Sequence, residues 1–184
     1  MQTLILNGSP RPNGDTAALI RALRANLTGD VVQIDCYRVH ISPCVDCRRC
    51  ARLPGCAIED DMQALYPIIE SCDGLVIATP VYFSLPTPPL LAVASRLQTY
   101  FCARAFRGES PTLCPKRGGI LLAGGGSGSA APAEQTARRL LRAMNACEIG
   151  PVVASLRTDE IPASGDARAM ADAQILADFL KKTR

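Results

Sequence analysis

The sequence predicts an α/β domain in which a parallel β-sheet is covered by helices on both faces. Five short apolar segments alternate with five longer amphipathic segments along 184 residues. Hydrophobic residues make up 48% of the chain, yet aromatic residues make up only 4% and Trp is absent, so the core must be aliphatic. Aliphatic strands that alternate with helices are typical of a parallel sheet with crossovers on both faces. The length suits one domain, and we expect residues 1–184 to form it.

The strands and helices follow from the periodicity of the apolar residues. In chain order, the expected strands are residues 3–6, 31–34, 75–78, 119–123 and 151–156. The expected helices, with apolar residues on one face, are residues 17–27, 62–69, 90–101, 133–145 and 167–180. A cysteine-rich loop at about residues 42–58, the cysteine loop, separates the second strand from the second helix, which Asp60 or Asp61 caps.

Charge and termini exclude several classes of protein. The chain has 20 basic and 17 acidic residues, and a net charge of +3 is too small to indicate nucleic acid or an anionic membrane as a partner. No secretory signal and no apolar run of about 18 residues is visible, so we expect a cytoplasmic protein without a membrane span. In that compartment the nine cysteines are expected to be thiols, metal ligands or redox groups rather than structural disulfides.

The first loop, residues 7–16, has the chemistry of a phosphate site. Its sequence is Asn-Gly-Ser-Pro-Arg-Pro-Asn-Gly-Asp-Thr, and it joins the first strand to the first helix. Such a junction offers free backbone amides at a helix N-terminus, and Ser9, Arg11 and Thr16 add hydroxyls and a guanidinium. It lacks the Gly-Lys-Ser or Gly-Lys-Thr of nucleotide hydrolases and the spaced glycines of dinucleotide sites. It therefore favours a mononucleotide phosphate, with an ordinary capped turn as the alternative.

Two further loops follow the third and fourth strands. The second loop, residues 79–84, carries Tyr82 and Phe83, and an isoalloxazine ring needs such a flat apolar wall. The third loop, residues 124–128, is Gly-Gly-Gly-Ser-Gly, which lets backbone approach a ligand closely. An aromatic pair in the core and a flexible loop are the alternatives. Because ligands bind beyond the carboxyl ends of parallel strands, all three loops are expected at one edge of the sheet.

These motifs carry a resemblance to a known group of proteins. Asn-Gly-Ser-Pro-Arg-x-x-Gly-x-Thr at 7–16, four cysteines at 44–56 followed by Asp-Asp-Met, and Thr-Pro-Val-Tyr-Phe at 79–83 occur in that order. Together they resemble the NADPH-dependent FMN reductase and iron–sulfur flavoprotein group of the flavodoxin-like superfamily. The resemblance implies a three-layer α/β/α sandwich with strand order 2-1-3-4-5, FMN as cofactor, and NAD(P)H as a possible co-substrate.

The resemblance also implies which residues bind FMN. Those for the phosphate are Ser9, Arg11, Asn13, Gly14, Asp15 and Thr16; those along the ring are Pro80, Val81, Tyr82 and Phe83; those at the opposite edge are Gly124, Gly125 and Gly126. Asp15 stands where Asn is common in the group, and an acid beside a phosphate is expected to weaken FMN binding. A homodimer or homotetramer is implied, in which a second subunit completes the flavin pocket.

Four cysteines form a compact Cys-x2-Cys-x2-Cys-x5-Cys motif, comprising Cys44, Cys47, Cys50 and Cys56. Two consecutive x2 spacings can wrap a loop around one centre. In iron–sulfur flavoproteins this spacing binds a 4Fe–4S cluster, which the resemblance implies here. The alternatives are zinc, which usually takes two separated Cys-x2-Cys hairpins, and a loop without metal. The other five cysteines are interpreted as small buried hydrophobic residues.

The expected function is that of an FMN-dependent oxidoreductase that reduces a small-molecule acceptor. The donor would be NAD(P)H or, with the cluster present, a ferredoxin-type protein. No side chain needs to act as an acid or base, because the flavin carries the chemistry. The alternative functions are a non-enzymatic flavin electron carrier or redox-sensing module, and a metal-binding scaffold without flavin.

Overall fold

The computed structural model describes residues 1–182, which form five strands and six α-helices. The strands are β1 (Gln2–Asn7), β2 (Asp30–Asp35), β3 (Gly74–Pro80), β4 (Lys116–Ala123) and β5 (Ala146–Ser155). The helices are α1 (Asp15–Arg24), α2 (Met62–Ser71), α3 (Pro88–Ser95), α4 (Gln98–Phe106), α5 (Ala131–Ala143) and α6 (Ala167–Lys181). Single 3-10 turns lie at Arg49–Ala51 and Ala163–Gly165.

The five strands form one parallel sheet in the order β2-β1-β3-β4-β5, which confirms the expected fold class and strand order. The central strand β3 is buried at every residue, as a strand covered on both faces must be. Neighbouring strands end almost level: Asn7 of β1 pairs with Ala78, and Pro80 of β3 pairs with Ala123. The loops after β1, β3 and β4 therefore leave the sheet at one edge.

Two apolar cores lie on the two faces of the sheet. Alternate residues of the strands point to opposite faces, so Leu4 and Leu6 belong to one core and Ile5 to the other. The first core packs β-strand side chains against α2 to α5, and the second packs them against α1 and α6. The result is a three-layer sandwich, and within residues 1–182 no helix is long and apolar enough to cross a bilayer.

The expected third helix, residues 90–101, is wrong in one respect: the structure has two helices there. α3 ends at Ser95, and α4 begins at Gln98 after a turn through Arg96 and Leu97. No Pro or Gly marks the break, and apolar residues continue across it, so the periodicity could not show it. The break turns the Arg96 side chain into the protein, where it is 1% exposed.

Two of the cysteines interpreted as buried are exposed, which corrects that interpretation. Cys36, Cys72 and Cys102 are buried, but Cys114 and Cys147 are exposed. β4 and β5 begin at Lys116 and Ala146, earlier than expected, with an irregular register at their first residues. Cys114 lies two residues before β4, and Cys147 lies in this irregular start of β5.

Candidate functional site

The first loop is shaped by side chains bonded to its own backbone. The Asn7 carboxamide oxygen accepts a hydrogen bond from the Ser9 backbone N–H at 3.0 Å, and the Ser9 hydroxyl accepts one from the Arg11 N–H at 3.3 Å. Ser9 and Thr16 are buried, whereas Arg11 and Asn13 are exposed. The structure therefore places two hydroxyls beneath the loop and a guanidinium at its surface, as a phosphate site requires.

The N-terminus of α1 follows this loop without a side-chain cap. Gly14 occupies the capping position, and no side chain of the described residues accepts a hydrogen bond from the first helical turn there. The backbone amides of that turn are thus available to an anion, and the helix dipole favours one. Asp15, in contrast, accepts a hydrogen bond from the Ala163 backbone N–H at 2.9 Å. Its carboxylate ties α1 to the segment before α6, a role that no local sequence pattern indicates.

The second loop forms a tight two-residue turn. Tyr82 and Leu85 exchange both backbone hydrogen bonds, each 2.9 Å long, and Phe83 and Ser84 between them have φ of 50° and 64°. Left-handed backbone at two successive non-glycine residues is strained and is concentrated at functional sites. The turn presents Phe83 with its side chain fully exposed and leaves Tyr82 41% exposed. Both predicted ring-binding aromatics are therefore accessible, and neither belongs to the core.

The third loop is held by a residue that the sequence analysis missed. The Asp159 carboxylate accepts a hydrogen bond from the Gly126 backbone N–H at 3.1 Å. A Cβ on Gly125 would lie 3.1 Å from the Asp159 Cβ and 3.2 Å from its backbone nitrogen. Gly126 has φ of 74°. Close approach at Gly125 and positive φ at Gly126 both favour glycine. Asp159 lies shortly after the end of β5. The rule that ligands bind beyond the carboxyl ends of parallel strands would have indicated this residue.

A cleft of about 410 Å³ lies between the second and third loops. Its walls include Val81 and Phe83 on one side, Gly124 and Gly125 on the other, and the half-exposed Leu156. Thr87, which precedes α3, connects this region to the first loop, because its hydroxyl donates to the Gly8 carbonyl at 2.7 Å. The three predicted loops thus border one edge, with the phosphate-type loop and the aromatic-lined cleft side by side.

Tyr37 adds an aromatic residue that the sequence analysis did not select. It follows β2, is 41% exposed, and interacts electrostatically with Tyr82 of the second loop. Partial burial and this neighbour raise the pKa of Tyr37. The segment after β2 therefore lies near the second loop, as the strand order with β2 beside β1 allows.

The cysteine loop encloses a separate cavity of about 420 Å³, the cysteine cavity. All four cysteines of the motif line it, and Cys102 of α4 is a fifth. Burial and the neighbouring Cys102 thiol raise the pKa of Cys50 to about 11. Asp46 and Arg48 have positive φ, so the chain turns sharply between the first and third cysteines.

A buried ion pair ties both ends of the cysteine loop together. The Arg96 guanidinium lies 2.6 Å from the Asp60 carboxylate, and their side chains are 0% and 2% exposed. Arg96 also donates to the Ser42 carbonyl at 3.0 Å and to the Ile58 carbonyl at 3.1 Å. Ser42 and Ile58 are the first and last residues of the loop. Arg96 therefore holds both ends of the cysteine loop through Ser42, Ile58 and Asp60.

The titration of Asp60 reflects these contacts. Burial raises the pKa of this carboxyl, but hydrogen bonds from the Arg96 guanidinium and from the Ser42 and Met62 backbone amides outweigh it, so its pKa is lowered. Burial lowers the pKa of Arg96, but Asp60, Tyr66 and Cys56 outweigh it, so that pKa is raised. Asp60 was expected only as a helix cap; it has that bond to Met62 and the ion pair as well.

The cysteine cavity does not have the geometry of a site for a single metal ion. Among residues 1–182, no three His, Cys, Asp or Glu side chains stand close enough to share one metal ion. Zinc needs four ligands around one atom, so the arrangement does not fit it. In a 4Fe–4S cluster each cysteine binds a different iron, so the sulfurs stand farther apart around a larger volume. The buried Arg96 Nε has no nitrogen or oxygen partner within the described residues, which suits a site that has sulfur as the acceptor.

α3 joins the two sites. At its start, Thr87 binds the first loop through Gly8, and at its last residue the Ser95 hydroxyl accepts a hydrogen bond from the Cys44 backbone N–H at 2.9 Å. The helix has 8 residues, which corresponds to roughly 12 Å at about 1.5 Å per residue. The cysteine loop is therefore held at a fixed distance from the first loop.

Comparison with known proteins gives the following relatives. Residues 1–160 match the family described as NADPH-dependent FMN reductase. The chain is similar to an iron–sulfur flavoprotein of Archaeoglobus fulgidus, with 27% identity over 158 residues that cover 83% of this chain and 68% of that protein. It is also similar to an iron–sulfur flavoprotein of Methanosarcina thermophila, with 31% identity over 96 residues, 50% of this chain and 49% of the relative. The chain thus spans about half the length of several curated relatives that it matches.

Solved structures share the fold at low sequence identity. An NAD(P)H:quinone oxidoreductase from Methanothermobacter marburgensis has a TM-score of 0.71, 16% identity, and coverage of 100% of this chain and 98% of that one. Azoreductase AzrA has a TM-score of 0.67 and 18% identity, with 100% of both chains covered. These likenesses show the flavodoxin-like fold.

Proposed function

Because the chain belongs to the NADPH-dependent FMN reductase family, we propose that it oxidises NAD(P)H and reduces a small-molecule acceptor by way of bound FMN. The observation that supports this best is the edge at which the first, second and third loops lie together, with the uncapped N-terminus of α1 between buried hydroxyls. When bound, the flavin supplies hydride acceptance and electron transfer.

The chain's own residues bind and orient the cofactor in this proposal. Ser9, Thr16 and the first amides of α1 bind the phosphate, and the exposed Arg11 closes over it. Val81 and Phe83 form one wall for the ring, and the backbone of Gly124 and Gly125 approaches its polar edge. Asp15 has one carboxylate oxygen engaged by Ala163, so its charge is directed partly toward the protein.

FMN titration and steady-state turnover test this function. We expect the purified chain to bind FMN and, once loaded, to oxidise NADPH or NADH with a quinone or an azo dye as acceptor. FMN binding without turnover of either nucleotide would favour an electron carrier. No FMN binding after addition of the free cofactor would overturn the proposal.

We further propose that the cysteine cavity holds a 4Fe–4S cluster bound by Cys44, Cys47, Cys50 and Cys56. Two observations support it: the two relatives above are named iron–sulfur flavoproteins, and all four cysteines of the motif line one cavity. With the cluster present, a ferredoxin-type protein becomes a possible donor. An anaerobic preparation should contain about four irons per chain.

A matched pair of cysteine variants makes this test specific. Cys47→Ser removes a cysteine that lines the cavity, whereas Cys147→Ser removes an exposed cysteine on β5. Iron should be lost from the first variant and retained in the second. FMN without iron in the wild type would overturn the cluster and leave the flavin function standing.

The exposed second loop supports a further part of the proposal, a homodimer or homotetramer in which a neighbouring subunit covers the flavin. A fully exposed Phe83 in a strained turn is a large apolar surface for a monomer to present. Sedimentation velocity of the wild type and Phe83→Ser should show an assembly that the variant weakens. A monomeric wild type would contradict this assembly.

A further inference from the structure

A second cleft of about 420 Å³ lies between α1 and β2 and carries three arginines. Arg21 and Arg24 come from α1, and Arg38 follows β2. Asn7 and Pro12 also line this arginine cleft, so it opens beside the first loop. The three side chains are exposed. The cleft therefore has the volume and the charge to receive a phosphorylated group.

The arginines are not explained by the helix alone. Cations are favourable in the last turn of a helix, where Arg21 and Arg24 lie. Arg38 belongs to a different element and faces the same cleft. Neither Arg21 nor Arg38 forms a hydrogen bond or ion pair of its side chain within the part of the chain that the structure describes. Two guanidinium groups from two elements are thus available to one ligand.

A chain of hydrogen bonds along the cleft leads to the first loop. Arg24 donates to the Gln33 side chain at 3.2 Å, and Gln33 donates to the Asp35 carboxylate at 2.7 Å. Asn7 donates to the same Asp35 oxygen at 2.8 Å, and its carboxamide oxygen holds the first loop through Ser9. The one carboxylate in the cleft therefore has two amide donors, which lessens its repulsion of an anion.

The arginine cleft is also close to the predicted ring site along the chain. Asn7 and Pro12 of the first loop line the cleft, and the half-exposed Tyr37, the neighbour of Arg38, lies within electrostatic range of Tyr82 of the second loop. A ligand that stacks near Tyr82 and carries a phosphorylated second half can follow Tyr37 and Arg38 into the cleft. A pyridine nucleotide has this shape, with a planar ring at one end and adenosine phosphates at the other.

We propose that the arginine cleft binds the adenosine 2′-phosphate of the pyridine nucleotide, with Arg21 and Arg38 as the residues that select NADPH over NADH. The proposal rests on the proposed function, in which NAD(P)H is the donor. Arginine suits the role because its planar fork binds phosphate oxygens bidentately and stays charged. The proposed role of the cleft is to bind the nucleotide, and no covalent bond forms or breaks there.

Direct binding of a nucleotide fragment tests the site without turnover. The probe is adenosine 2′,5′-bisphosphate, titrated calorimetrically into the FMN-loaded chain, with 5′-AMP as the fragment that lacks the 2′-phosphate. The double variant Arg21→Gln/Arg38→Gln should weaken bisphosphate binding by about tenfold or more. The matched control, Arg139→Gln, removes an exposed arginine from α5 and should leave it unchanged.

Turnover provides the second readout. The double variant should raise the KM for NADPH by about tenfold while changing the KM for NADH by less than about twofold, with kcat and FMN affinity preserved. Equal bisphosphate affinity in the double variant and in Arg139→Gln would overturn the proposal. A wild type that binds 5′-AMP as tightly as adenosine 2′,5′-bisphosphate would also overturn it. So would competition by inorganic phosphate at the bisphosphate's own concentration. If the wild type binds FMN and turns over NADPH, but the double variant has the same bisphosphate affinity and the same KM for NADPH, the arginine cleft is refuted as the phosphate site. The proposed function would still stand.

Discussion

The two candidate sites of this protein are held in shape in opposite ways. At the carboxyl edge of the sheet, the three loops depend on backbone amides, glycines and short polar side chains, and they expose Phe83. The two ends of the cysteine loop are instead joined by a buried ion pair, Arg96 and Asp60. The first region is open to a ligand, whereas the second is closed by the protein itself.

The largest effect should come from breaking the buried pair. Asp60→Asn leaves the Arg96 guanidinium buried without its carboxylate, which typically destabilises a protein by about 3–5 kcal/mol. Urea unfolding of metal-free protein measures it. Arg48→Ala, which removes an ion pair whose side chains are 78% and 77% exposed, should change stability by less than about 1 kcal/mol.

Replacing both partners sharpens this result. Arg96→Met with Asp60→Leu leaves no buried charge, and it should recover most of the lost free energy of unfolding. A mild effect of Asp60→Asn alone would mean that the cysteine loop is held by other contacts, and the contrast between the two regions would disappear.

Acid should remove part of the same stabilisation. The pKa of Asp60 is lowered below 3.8 in the folded chain. A carboxyl of this kind stabilises the protein above its unfolded pKa and loses that contribution as the pH falls through the folded pKa. The difference in unfolding free energy between wild type and Asp60→Asn should therefore narrow from pH 7 to pH 3. A constant difference would show that the Asp60 charge is not what Arg96 requires.

At the carboxyl edge of the sheet, adding a methyl group to Gly125 should affect ligand binding more than folding. Gly125→Ala places a Cβ 3.1 Å from Asp159, and the shift this forces should weaken FMN binding by about tenfold. Gly128→Ala is the matched control, because the nearest atom to its Cβ lies at 4.0 Å. Fluorescence titration with FMN compares the two variants. Equal affinities would remove the third loop from the flavin site.

The smallest effect concerns the strained turn. Ser84 has φ of 64°, and Ser84→Gly should relieve strain and stabilise the chain by up to about 1 kcal/mol, offset in part by backbone entropy. Thermal unfolding measures the change. A clear loss of stability would indicate that the Ser84 side chain contributes a contact that outweighs the strain.

The sequence predicted the fold because its signals are local. The strands are short aliphatic runs, the helices are amphipathic, and the motifs at 7–16 and 79–83 lie where strands end. The break between α3 and α4 was missed because no residue near Arg96 interrupts the apolar pattern. The clamp that Arg96 forms was missed with it, since a charged residue in an expected helix is ordinarily exposed.

Contacts between distant segments account for the rest of what the sequence did not predict. Asp15 and Ala163 are 148 positions apart, and Asp60 and Arg96 are 36 apart. Tyr37 lies within electrostatic range of Tyr82 because the strand order brings β2 beside β1. Such pairs depend on the assembled sheet, so no local pattern indicates them. The sequence shows the types of these residues, but it does not show which residues they contact.

The contacts of Arg96 with Asp60, Ser42 and Ile58, the Arg96 clamp, also bear on how such chains can change over generations. Arg96 and Asp60, which fix the ends of the cysteine loop, are not members of the cysteine motif. A substitution of Arg96 or Asp60 is therefore expected to alter the course of the loop, whereas a substitution of the exposed Cys47 is expected to alter the lining of the cavity. The course of the loop and the chemistry of its cavity can thus drift independently of each other.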